Sequence, residues 1–124
     1  MKAKYQRVLL KISGEALAGE SGRGHDFSFI AQVCQAVKSC TDLGVQVGLV
    51  VGGGNIWRGV KDGGGRMERS RADQMGMLAT VINSLAVQEA LEQQGQWTRV
   101  LTSFPMGPVA EPYSYARADQ YLKE

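Results

Sequence analysis

A chain of 124 residues, 44% hydrophobic and 21% charged, suffices for one modest domain with a single core. Its net charge of +2 is too small to argue for nucleic acid or an anionic membrane as partner. No apolar run approaches the roughly 18 residues of a bilayer span. The basic start, "MKAKYQRVLLKISG", lacks the apolar stretch and small-residue cleavage site of a secretory signal, so a cytoplasmic location is expected.

The first predicted element is a strand over residues 5–12, "YQRVLLKI", apolar and β-rich after Arg7. Residues 13–26, "SGEALAGESGRGHD", carry four glycines and read as a loop. Asp26 is placed to cap a helix running to about Leu43, with Phe29, Ile30, Val33, Val37 and Leu43 as its apolar stripe. Gly44 is placed to end that helix in a left-handed conformation. Cys34 and Cys40 fall on it, pointing in different directions and matching no metal or redox spacing; they read as buried, reduced thiols. The single histidine, His25, reads as a solvated loop residue.

A second strand is expected over residues 45–51, "VQVGLVV", nearly continuous in apolar residues as if covered on both faces. Three glycines, Gly52 to Gly54, follow it without a break. Residues 61–66, "KDGGGR", read as a mobile connection. A long helix then spans about Arg71 to Gln94 and stops at Gly95, with Met75, Leu78, Ile82 and Leu85 as one stripe and Met77, Val81 and Val87 off it. Such a helix is expected to be buried on more than one side, in the core or against another subunit. A third strand is expected over residues 97–103, and a last helix from near Ser114. The alternation of strand and helix predicts an α/β fold with a parallel sheet.

Ligands of open parallel sheets bind outside the carboxyl ends of the strands, and two loops there are suggestive. Lys11-Ile12-Ser13-Gly14 offers a cation, a hydroxyl and backbone N–H groups. Gly52-Gly53-Gly54-Asn55, followed by Arg58, lets backbone N–H groups approach an anion closely, as in a nest, with a guanidinium to clamp it. Each feature alone is an ordinary turn or surface residue; together they predict a phosphate site. Neither the dinucleotide fingerprint nor the Walker pattern is present, so a kinase with another phosphate cradle fits better. Asp73, near the start of the long helix, reads either as a favourable partner of the helix dipole or as an acceptor for sugar hydroxyls.

The stretches "LLKISGEAL", "VVGGGNIWRG" and "DQMGMLATVINSLA" closely resemble the bacterial UMP kinases of the amino acid kinase family, in order and spacing over essentially the whole chain. The glycine loop is shared more loosely with acetylglutamate, carbamate and aspartate kinases. The resemblance implies a three-layer αβα sandwich with a parallel sheet. It implies transfer of the ATP γ-phosphoryl group to UMP. Lys11 and Arg58 would be the catalytic cations; Lys11, Ile12, Ser13, Gly14, Gly54 and Arg58 would bind ATP; Gly53 and Asp73 would bind UMP. Mg2+ would come with ATP, without a tightly bound protein-ligated metal. GTP and UTP would be effectors, with Gly19, Glu20, Ser21, Gly22, Arg23, Gly24 and Arg99 in the GTP region, although Gln88 and Glu92 stand where some members are basic. A homohexamer is implied as well.

Family members are about twice this length. The resemblance therefore implies an incomplete sandwich. Residues 1–124 would be the N-terminal, UMP-binding half, and the C-terminal ATP-binding half would be absent. Three readings follow. The chain is a UMP kinase fragment inactive alone, a non-catalytic nucleotide-binding module, or a related kinase acting on a carboxylate or carbamate. A sheet edge and an apolar face are expected to be left uncovered, so the isolated chain should be marginal or self-associating.

Overall fold

The computed structural model describes residues 2–58 and 65–124. Strand β1 (Arg7–Ile12) pairs in parallel with β2 (Gln46–Val51), Arg7 opposite Gln46 and Ile12 opposite Val51. A parallel pair requires a crossover, which is the helix α2 (Phe27–Asp42). Asp26 caps it as expected, its carboxylate accepting from the N–H groups of Ser28 and Phe29. Gly44 follows at φ 85°, the left-handed residue that turns the chain into β2.

The segment expected to be all loop contains a short helix, α1 (Gly14–Ala18), and a 3-10 turn (Gly19–Ser21). Ser13 caps α1 by accepting from the Ala16 N–H, and Leu17 is fully buried. The glycines at 19, 22 and 24 masked a cap followed by good helix formers. Helix α3 (Arg69–Gln93) ends before Gly95, which takes φ 86°. The connection expected across residues 61–66 lies mostly outside the described residues.

The third strand shrinks to β3 (Leu101–Thr102), paired in parallel with β4 (Glu111–Pro112). The Glu111 and Tyr113 N–H groups donate to the Val100 and Thr102 carbonyls at 3.0 and 2.8 Å, so Pro112, which has no N–H, sits at the ladder position that needs none toward β3. Helix α4 (Tyr115–Lys123) is capped by Ser114, which accepts from the Arg117 N–H. The fold is thus mixed α/β with parallel strands in two small sheets, not yet a full sandwich among the described residues.

The core is built from Ile12, Leu17, Ile30, Cys34, Val37, Val87 and Leu91. Three expectations about burial change. Strand β2 is only half-covered, with Val50 exposed, not buried on both faces as expected. Phe29 and Leu43 are exposed on α2, where Ile30, Cys34 and Val37 carry the packing instead. Cys34 is buried and Cys40 half-buried; both are free, and burial pushes the Cys34 thiol up. On α3 the stripe Met75, Leu78 and Ile82 faces outward, with Leu78 45% and Ile82 49% exposed. The inward face is Ala72, Gly76, Ala79 and Asn83, spaced four, three and four. Small residues there let the helix backbone come close to the loop after β2.

Candidate functional site

The glycine loop follows β2 and lies between α1 and α3. The carboxyl ends of β1 and β2 are joined there by the Gly52 N–H donating to the Ile12 carbonyl at 2.8 Å. None of Gly52, Gly53 or Gly54 takes a positive φ, so the alternating hands of a nest, which the sequence suggested, are not what these glycines provide. Their bare α-carbons serve close approach. A Cβ on Gly53 would stand 2.9 Å from the Ala79 Cβ and 3.2 Å from the Gly76 carbonyl. A Cβ on Gly54 would strike the Glu15 carboxylate.

Gly14 matters most. A Cβ there would lie 2.6 Å from the Gly54 nitrogen and 2.9 Å from the Asn55 nitrogen. The Gly54–Asn55 backbone therefore packs directly on the buried Gly14 α-carbon, and any side chain at position 14 would displace it. Among the described residues, no hydrogen bond takes the N–H of Gly53, Gly54 or Asn55.

The peptide planes fix the direction of these three donors. A trans peptide holds its C=O and the next N–H in one plane, pointing in opposite directions, so fixing the carbonyl aims the donor. The Gly52 carbonyl accepts from Asn83 Nδ2 at 2.7 Å. The Gly53 carbonyl accepts from the N–H groups of Ile56 and Trp57, each at 3.0 Å. The Gly54 carbonyl accepts from Arg58 Nε at 3.1 Å. All three planes are thereby locked, and three consecutive N–H groups are left to a ligand. Preorganised backbone donors of this kind suit an anion.

The charged groups lie at the same edge. Arg58 pairs with Glu15 of α1, a residue the sequence reading did not single out. Its own backbone N–H, then the Arg58 guanidinium, hold the Glu15 carboxyl below the ordinary carboxylate range. Lys11 is exposed on β1 opposite Val50, one residue before Ile12. The Ser13 oxygen accepts the cap bond of α1, which leaves its hydroxyl proton to donate elsewhere. Asp73 is exposed one turn before Gly76 and accepts from Arg69 Nε at 3.3 Å. Trp57 links the two sides of the edge, its indole N–H donating to the Ala72 carbonyl at 2.9 Å.

Lys11, Ile12, Ser13, Gly14, Gly53, Gly54, Arg58 and Asp73 therefore all belong to one edge. The segment Gly19, Glu20, Ser21, Gly22, Arg23 and Gly24 adjoins it through Gly24, whose N–H donates to the Asn55 carbonyl at 2.9 Å. Arg99 lies elsewhere, stacked 4.0 Å over the Trp97 ring and near Tyr121. Among the described residues no contact joins Arg99 to the Gly19–Gly24 segment.

Sequence reading missed three further residues. His25 is half-buried, not solvated, and its Nε2 lies 2.6 Å from Asn83 Oδ1. Asn55 and Asn83 are 2% and 0% exposed and bonded to each other. Asn83 carried the one available signal: an amide inside the apolar run "ATVINSLAV" must find partners if it is buried.

The model of the amino acid kinase family matches residues 6–123. A UMP kinase from Bacillus anthracis is 40% identical, with a TM-score of 0.89, over 96% of this chain and 49% of its own. A UMP kinase from Ureaplasma parvum is 32% identical, with a TM-score of 0.87, over 97% of this chain and 53% of its own. The chain thus spans about half the length of these solved structures. With the family match over nearly its full length, the chain belongs to the amino acid kinase family.

Proposed function

We propose that this chain is the UMP-binding half of a kinase that transfers the γ-phosphoryl group of ATP to UMP, and that the 124 residues alone are inactive. The observation that carries this reading is the row of three unclaimed N–H groups at Gly53, Gly54 and Asn55, beside Arg58. That arrangement suits a phosphate. Lys11 and Arg58 supply positive charge, and phosphoryl transfer needs alignment and charge compensation more than a nucleophile from the protein. Gly53 would donate to the UMP phosphate. Asp73 would accept from the ribose, which its place one turn from the loop supports. Ile12, Ser13, Gly14 and Gly54 would line the ATP phosphates, and Mg2+ would arrive with ATP and supply further charge compensation.

The likeness to two UMP kinases supports the choice of acceptor over a carboxylate or carbamate. GTP and UTP as effectors, a hexameric assembly and a cytoplasmic location belong to the same proposal. The direct bond between Gly24 and Asn55 supports an influence of the Gly19–Gly24 segment on the loop. The separation of Arg99 from it gives that residue no such support.

The test is UDP formation from UMP and Mg-ATP by the purified chain, with and without a complementing C-terminal half, alongside a UMP binding titration. The expected result is UMP binding by the chain, turnover only on complementation, and loss of both in Arg58→Ala and Asp73→Asn. Failure to bind UMP, or activity with a carboxylate or carbamate acceptor instead, overturns the proposal. Binding without turnover under any complementation favours the non-catalytic module.

A further inference from the structure

We infer that His25 is a positioning residue for the phosphate cradle, acting through Asn83 and Asn55; the inference rests on the phosphate reading given above. The hydrogen-bond network fixes every donor and acceptor. The Gly52 carbonyl can only accept, so Asn83 must turn its Nδ2 toward it, at 2.7 Å. The same Nδ2 donates to Asn55 Oδ1 at 2.6 Å. Asn83 Oδ1 is then the acceptor left over, and it receives Asn55 Nδ2 at 3.2 Å and His25 Nε2 at 2.6 Å. Asn55 Nδ2 also donates to the Gly24 carbonyl at 2.7 Å.

Two consequences follow. His25 must carry a proton on Nε2, because an unprotonated Nε2 would put two acceptors face to face at 2.6 Å. Both the neutral Nε2–H form and the imidazolium satisfy this, so protonation does not open the link. The bond from Asn83 is also the one that locks the Gly52–Gly53 peptide plane from a distant element, and so fixes the direction of the Gly53 N–H. Gly53 and Gly54 are otherwise tied only to local partners. His25 steadies Asn83, Asn83 sets the Gly53 donor, and Asn55 clasps the Gly24 backbone from both its main chain and its side chain. A buried network of this kind, with every group satisfied, specifies one geometry.

The test compares wild type with His25→Phe, which keeps a ring and loses the donor, and His25→Gln, whose amide N–H can replace Nε2–H. Nitrogen-15 spectra of the wild-type imidazole should show a proton on Nε2. Amide hydrogen exchange at Gly53 to Asn55 should quicken in His25→Phe and return toward wild type in His25→Gln. UMP affinity should fall about tenfold in His25→Phe and recover in His25→Gln, as expected when a donor is misaimed rather than removed. A neutral Nδ1–H tautomer in the wild type overturns the inference without any variant. So does a His25→Phe protein with unchanged loop exchange and UMP affinity, or a His25→Gln protein as impaired as His25→Phe. If the wild type fails to bind UMP while loop exchange still follows His25, the phosphate reading falls and the positioning role stands.

Discussion

The glycine-loop edge and the outer faces of β1, β2 and α3 follow opposite rules. At the edge, backbone meets backbone at contact distance, both amides are buried, and each carbonyl of the loop glycines has a partner. On the outer faces, Leu9 is 73% exposed, and Val50, Met75, Leu78 and Ile82 stand in the open. Fit at the edge is set by hydrogen bonds of fixed direction, which tolerate little change. The outer faces depend on area alone, which is non-directional and forgiving until something covers it.

Substitutions can break this contrast. The largest effect is expected for Gly14→Ala. Its methyl would press on the Gly54 nitrogen at 2.6 Å and Asn55 Oδ1 at 2.5 Å, neither of which can yield. Urea unfolding should show a loss of about 3 kcal/mol, and UMP titration should show no binding, because the Gly54 and Asn55 donors are displaced. Gly54→Ala makes the sharper control, since its methyl meets the movable end of Glu15 and should disturb stability less.

Next comes Asn83→Ala, which strands the Gly52 carbonyl, Asn55 Oδ1 and the His25 donor. Chemical denaturation should report a loss of about 2 kcal/mol. A smaller effect belongs to Glu15. Its carboxyl is held below the ordinary range, so the stability from the Arg58 pair is complete above that range. It is lost as pH falls through the depressed value. Both partners are substantially exposed, so the contribution is under about 1 kcal/mol. A pH series of denaturation curves should lose that acid limb in Glu15→Gln.

The smallest effect on folding is expected on the outer face. Ile82→Gln should change unfolding by no more than about 0.5 kcal/mol. Sedimentation velocity should show it self-associating less than wild type. Loss of stability as large as that of Asn83→Ala would mean that the two regions do not differ as described.

Local signals in the sequence were reliable where one residue decides one feature. Asp26 caps α2, Ser114 caps α4, and Gly44 and Gly95 turn left-handed after their helices. Periodicity was weaker. Helix α3 carries apolar residues on more than one side, and spacing cannot say which side faces inward when the face toward the glycine loop is made of Ala72, Gly76 and Ala79 and only its later turns bring Val87 and Leu91 to the core. The third strand needed knowledge of its partner, which pairs with it at only two residues. For the site, the loops, Arg58 and their common edge were legible from strand order. Glu15, His25 and Asn83 were not, because each gains meaning from a partner far along the chain.

The parallel register of β1 and β2 has a bearing on how this edge comes into being. Arg7 and Gln46, which share a hydrogen bond at one end of the pair, are 39 residues apart. Glu15 and Arg58 are separated by 43, and His25 and Asn83 by 58. The loop closures must precede the contacts that reward them, so assembly of the cradle depends on the whole α2 crossover being in place. A synthetic peptide bearing the glycine loop would hold the right letters without the right shape, and in kinetic refolding the edge should be among the last parts to acquire native order.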